Sequence, residues 1–173
     1  WVCNVGAIPI PVPNILESHR KLDDWLDIIL PNAIILSGGN DIGEYTNRDQ
    51  TEWRLLEYAD YNQLPVLGIC RGMQMLAHFS GIGLKEARGH AGTRHELVLN
   101  HHHLGVYENT VNSYHNKVLS ECPPCYQINA QSADMNIEAI THKNKSWEGW
   151  MWHPERELKY LKSDLNRAKQ ILL

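Results

Sequence analysis

Cysteine is too scarce in this chain to organise it. Only Cys3, Cys70, Cys122 and Cys125 occur among 173 residues, too few for a disulfide scaffold, so reduced thiols are expected. The Cys122-Pro-Pro-Cys125 pair has redox or zinc spacing, but no second pair completes a zinc set, and it reads as incidental. No apolar run approaches the roughly 20 residues that span a bilayer, and no charged segment followed by an apolar stretch marks a signal peptide. Basic charge is not in excess either. With a formal net charge of −4, neither nucleic acid nor an anionic membrane is an expected partner. Internal repeats, low-complexity tracts and Gly/Ser linkers are missing too. These gaps leave a cytoplasmic globular protein as the expectation.

What is present alternates between strand and helix. "GAIPIPVP" reads as a short edge strand, and "ESHRKLDDWLDIIL" sets Leu22, Trp25, Leu26 and Ile29 at helical spacing. "AIILSGGND" is a strand running into a glycine turn, and "DQTEWRLLEYADYNQ" is again helical, with Trp53, Leu56 and Tyr61 among its apolar positions. "LPVLGI" has the composition of a central strand buried on both faces, and "RGMQMLAHFSG" is a helix stopped near Gly81. Short strands then follow in "GLKEA", "HELVL", "TVNSY", "CYQINA", "NIEAITH" and "WEGWMW", before a charged amphipathic helix in "ERELKYLKSDLNRAKQILL". The expected fold is α/β: a mostly parallel central sheet flanked by helices, with a smaller antiparallel portion, in one domain over residues 1–173. "WVCNVG" reads as the tail of a helix, so a first strand is expected to be missing ahead of it.

One junction carries a chemical signature. In Gly68-Ile69-Cys70-Arg71-Gly72 a strand turns at once into a helix, with small residues two before and two after the corner. That is the geometry of a nucleophile elbow, with sulfur in place of a hydroxyl. The helix after Cys70 would aim unpaired N–H groups and a positive dipole end at the sulfur, favouring the thiolate. The plainer reading is a buried cysteine in a tight turn.

A cysteine nucleophile needs a base, and the base an orienting group. Of ten histidines, His153 stands out, in "MWHPERE". Pro154 keeps it extended, and residues two apart on extended chain point the same way, which sets the Glu155 carboxylate beside the imidazole. "ILSGGND" supplies a third part, because Gly38-Gly39 can bring a backbone N–H close to a developing oxyanion. The N–H of Arg71 would be the second donor.

Together "GICRGMQ", "LSGGND" and "HPE", in that order, resemble the class I glutamine amidotransferases. The resemblance implies a triad of Cys70, His153 and Glu155, oxyanion donors at Arg71 and Gly39, and a glutamine-binding Gln74. It also implies substrate contacts near Asn112, Ser113 and Tyr114. "VNSYHNKVL", "NRDQTE" and "GHAGTRHEL" look most like the γ-glutamyl hydrolase branch, which includes γ-glutamyl-γ-aminobutyrate hydrolases. The short "DIGEYTNRD" loop looks more like γ-glutamyl-CDP-amidate hydrolases. The implied activity is hydrolysis of a small-molecule γ-glutamyl amide through a glutamyl thioester, without a cofactor. The alternatives are a glutaminase subunit feeding ammonia to a synthase partner, and a non-catalytic relative. A homodimer is left open.

Several residues are weighed and given lesser roles. His101 to His103 alternate across a strand and cannot converge on one ion, so no metal is assigned. His90, Arg94 and His95 border the elbow in this reading, and Arg94 and His95 enter as candidate substrate contacts. The Arg71 side chain could reach a leaving group or bond locally. Trp147, Trp150 and Trp152 suit packing alone.

Overall fold

The computed structural model describes residues 1–14, 19–100 and 106–173. A short α1 (Val2–Val5) precedes α2 (His19–Ile29), β1 (Ile34–Leu36), α3 (Thr46–Tyr61) and β2 (Val66–Ile69), after which α4 (Arg71–Phe79) begins with one residue between. Then come β3 (Leu84–Glu86), β4 (Ala91–Leu99), β5 (Thr110–Tyr114), β6 (Lys117–Leu119), β7 (Tyr126–Ser132), β8 (Ile137–His142) and β9 (Trp147–Trp150), with α5 (Lys162–Leu172) last. Seven strands form one sheet in the order β1-β2-β9-β8-β7-β4-β5, while β3 and β6 pair separately. The expected α/β architecture is therefore present.

Strand β2 is the keystone. All four of its residues are buried, as an unbroken apolar run requires. It pairs in parallel with β1 on one side and β9 on the other, with Leu36 opposite Gly68 and Ile69 opposite Trp150. The remaining pairings in the large sheet are antiparallel. α4 packs on β1, β2 and β9, and α5 also packs on β2. The core gathers Leu26 of α2, Leu56 of α3, Met73 and Leu76 of α4 and Trp150 of β9. Each such side chain contributes about 1.5–3 kcal/mol through burial.

Glycine lets α4 lie this close. A Cβ on Gly72 would stand 2.1 Å from the Leu36 carbonyl oxygen, and one on Gly68 would stand 2.6 Å from the Gly72 backbone. The flanking glycines of the elbow are thus steric necessities.

Three local expectations are corrected. Residues 7–14 form no strand, because Pro9, Pro11 and Pro13 remove the donors a ladder needs. The last helix starts at Lys162, not Glu155. Pro154–Arg156 instead form a 3-10 turn, and Glu155 and Glu157 are held by tertiary partners. Tyr61, read among the apolar positions of its helix, is 89% exposed. The three-residue β6 carries too little pattern to be seen in sequence. The three tryptophans Trp147, Trp150 and Trp152 are all buried, the last two with rings stacked at 5.3 Å. All four cysteines are free thiols. The His101–His103 run lies outside the described residues.

Candidate active site

Three parallel strands end side by side, and the chain just beyond each end supplies one part of the site. Gly38 follows β1, Cys70 follows β2 and His153 follows β9. Crevices at the carboxyl ends of parallel strands are where α/β sheets bind ligands.

Cys70 has φ 50° and ψ −104°, a conformation that L-residues avoid unless their surroundings impose it. Its N–H donates to the Trp150 carbonyl at 2.7 Å, and its carbonyl accepts from the Gln74 N–H at 3.1 Å. The corner is therefore pinned to β9 behind and to α4 ahead. The thiol is buried and shifted. Burial pushes its pKa up to about 11, against weaker downward pulls from the Arg71 backbone N–H and the Arg156 charge. The depressed thiol pKa expected from the helix end is not found, since burial outweighs the N–H of Arg71 at the start of α4. A base must take this proton.

His153 stands against Gly38 so closely that a Cβ there would meet its Cε1 at 2.4 Å. Its Nδ1 lies 2.6 Å from Glu155 Oε1, the contact expected from the His-Pro-Glu spacing. The route differs from expectation: Pro154 opens a tight turn that swings Glu155 back. Burial would raise the Glu155 pKa, but hydrogen bonds from His153 and the backbone hold it below the usual carboxylate value. With Nδ1 occupied, Nε2 is the nitrogen left for proton transfer.

Asn112 has a role the sequence did not disclose. Its Oδ1 accepts from the His153 N–H at 2.8 Å, and its Nδ2 donates to the His153 carbonyl at 2.8 Å and to Glu157 at 2.9 Å. It therefore clamps the His153 backbone to β5. Next on β5, Ser113 is buried, and Tyr114 sets its ring edge-on to His153 at 5.6 Å, with the Arg156 guanidinium 4.5 Å over that ring.

The glycine turn is held by Arg48. This residue donates to the carbonyls of Ser37 and Gly38 at 2.9 and 3.1 Å and pairs with Glu52 at 2.8 Å. Gly39 sits at φ 150°, and a Cβ there would strike Arg48 Nη1. Arg71 keeps its backbone N–H at the sulfur, but its side chain is buried against Glu52 and Asp49. Of the two directions open to that side chain, the local one is taken. Gln74 is buried, donating to the Lys117 carbonyl at 2.9 Å. Arg94 pairs with Glu157 at 2.7 Å, on the side of Asn112, whereas His95 Nε2 lies 3.4 Å from Glu138.

The sequence matches the family described as glutamine amidotransferase class-I over residues 7–170. The chain belongs to that family. Among relatives of this class I chain, the γ-glutamyl-CDP-amidate hydrolase of Campylobacter jejuni is 34% identical over 134 residues, covering 74% of the chain and 64% of the relative. A glutamine-hydrolyzing GMP synthase subunit from Methanococcus vannielii is 32% identical over 71% of the chain and 64% of the relative. The class I chain thus spans less than two thirds of either protein. A crystal structure from Thermoplasma acidophilum, described as that of a GMP synthase subunit, superposes with a TM-score of 0.72 at 25% identity, covering 92% of the chain and 78% of that protein. No helix among the described residues is long and apolar enough to cross a membrane.

Proposed function

We propose that this class I domain is a cysteine-dependent hydrolase of γ-glutamyl amides. The observation that carries the reading is the arrangement at three adjacent strand ends: a strained, buried Cys70 and a His153 fixed by Glu155 and seated on Gly38. In the proposed reaction His153 takes the Cys70 proton, and the sulfur attacks the γ-carbonyl carbon of the substrate. The oxyanion is received by the N–H groups of Arg71 and Gly39. His153 then returns the proton to the leaving nitrogen, the C–N bond breaks, and a glutamyl thioester remains on Cys70. Water, deprotonated by His153, releases glutamate.

The raised thiol pKa gives this sequence its logic. Proton transfer and attack are coupled, so the site does not hold a permanently reactive thiolate. Gln74 and the β5 segment Asn112–Tyr114 are the proposed contacts to the glutamyl group. Arg94, half exposed beside Glu157, is the proposed contact to a phosphate on the leaving group. His95, whose Nε2 faces the buried Glu138, is left out of that role. The relative named γ-glutamyl-CDP-amidate hydrolase favours a leaving group carrying a cytidine diphosphate.

The second reading, a glutaminase subunit supplying ammonia to a synthase, is favoured by the relatives named as glutamine-hydrolyzing GMP synthase subunits. One experiment separates the two. The purified chain is assayed for glutamate release from γ-glutamyl amides, γ-glutamyl-CDP-amidate included, and from free glutamine. Turnover of the amides without a partner, lost by about 10⁴-fold or more in Cys70→Ala, is expected. Turnover of glutamine alone, and only with an added synthase, selects the second reading. Full amide activity in Cys70→Ala overturns both.

A further inference from the structure

Behind the site, four side chains converge on a point that the proposed reaction does not use. Glu138 of β8 is fully buried, and among the described residues no Lys or Arg pairs with it. Three imidazoles surround it instead. His95 Nε2 of β4 lies 3.4 Å from Glu138 Oε1, while His90 Nδ1 and His115 Nε2 each lie 3.6 Å from that same oxygen. The donor atoms of His90, His95 and Glu138 all fall within 4.8 Å of one another.

These separations are long for N–H···O bonds, which cluster near 2.9 Å. Accordingly Glu138 Oε1 and Oε2, His90 Nδ1, His95 Nε2 and His115 Nε2 are buried without a hydrogen bond among the described residues. Leaving that many buried polar atoms unsatisfied is costly. The separations of the imidazole nitrogens from Oε1 instead suit an ion set between them. With bonds of about 2.0–2.1 Å, neighbouring ligand atoms stand about 3.4 Å apart.

The surroundings support the same reading. His90 presents Nδ1 to the cluster while its Nε2 lies 2.9 Å from Asp134 Oδ2. Asp134 is itself held by Ser132 Oγ at 2.5 Å and Asn136 Nδ2 at 2.9 Å. A carboxylate behind a ligating histidine is the usual outer support of a metal site, fixing tautomer and ring orientation.

We propose that His90, His95 and Glu138 bind one divalent transition ion of the zinc class, with His115 set against the same carboxylate oxygen. Two nitrogens and one carboxylate oxygen disfavour Mg²⁺ and Ca²⁺, which take oxygen ligands. No step of the proposed reaction passes through this cluster, so the ion is structural. It fastens the β4–β5 hairpin to β8, and through β5 it steadies Asn112, the clamp on His153.

The test uses the whole chain, stripped with chelator and then titrated with Zn²⁺ and Co²⁺. Binding of about one ion per chain, visible absorption of tetrahedral Co²⁺ and a rise in Tm with Zn²⁺ are expected. Asp134→Ala, at a side chain 55% exposed, should weaken metal affinity about 10–100-fold. His90→Ala/His95→Ala should abolish binding, while Cys70→Ala and Cys122→Ser/Cys125→Ser retain it. A folded wild-type chain that takes up neither ion at micromolar concentration overturns the proposal. So does stoichiometric binding that survives His90→Ala/His95→Ala, or is lost in either cysteine variant.

Discussion

At the scale of single residues, buried charge decides more than surface charge. Asp164 of α5 is 1% exposed, and both its carboxylate oxygens lack a hydrogen bond among the described residues. Burial, aided by the nearby Glu108 charge, raises its pKa from 3.8 to about 7. An acid whose folded pKa is raised holds its proton better when folded than when unfolded. Its effect on stability is absent below the unfolded pKa and becomes a loss as pH climbs toward the folded one. Asp164→Asn is therefore expected to leave stability unchanged near pH 3.5 and to add on the order of 3 kcal/mol by pH 8. Urea unfolding at several pH values checks this; equal gains at both ends of the range would refute it. The residues with the clearest local signature, Cys70, His153 and Glu155, were legible because each lies inside a short pattern whose backbone consequences are steric. The clamp of Asn112 on His153 and the grip of Arg48 on the glycine turn were not, since the partners lie 41 and 10–11 residues away in the chain.

At the scale of elements, α3 acts as a bracket between the two candidate oxyanion donors. Its Glu52 accepts from Arg48, which grips the glycine turn, and from Arg71, the first residue of α4. Its Asp49 takes the other arm of Arg71 and the N–H of Gly43. Removing one member of such a buried set leaves uncompensated charge, at a cost of about 3–5 kcal/mol. Glu52→Ala should show that loss in denaturant titrations, together with a fall in kcat larger than any rise in KM, because it frees the N–H groups proposed to meet the oxyanion and not the proposed substrate contacts. A pure KM effect would count against the bracket. Elements were readable wherever periodicity was long, as in α2, α3 and β2. They were misread where tertiary bonds overrode propensity, as at residues 155–161, whose acidic side chains are claimed by His153, Asn112 and Arg94.

At the scale of the whole molecule, α5 closes the sheet through one ion pair. Arg167 meets the buried Glu148 of β9 at 2.5 Å, and Tyr107 and Trp150 donate to the same carboxylate at 2.6 Å. Because the Arg167 side chain is 23% exposed, solvent screens part of the interaction. Arg167→Ala should cost about 3 kcal/mol, and adding Glu148→Gln should recover most of it, since the penalty is a stranded charge. Thermal and urea unfolding of the single and double variants would decide; additive losses would argue against it. The α/β architecture was legible from alternating patterns. The sheet order was not, because the chain's last strand inserts between β2 and β8.

That insertion has a bearing on how the protein is made. Strand β2 emerges from the ribosome long before β9, so the sulfur at position 70 is synthesised without the wall that seats it or the imidazole at position 153. Until the final stretch has been translated and threaded into place, the elbow has only one flanking strand and no proton acceptor. On the proposed mechanism, nascent chains are thereby kept chemically silent, and turnover begins only once translation has passed β9.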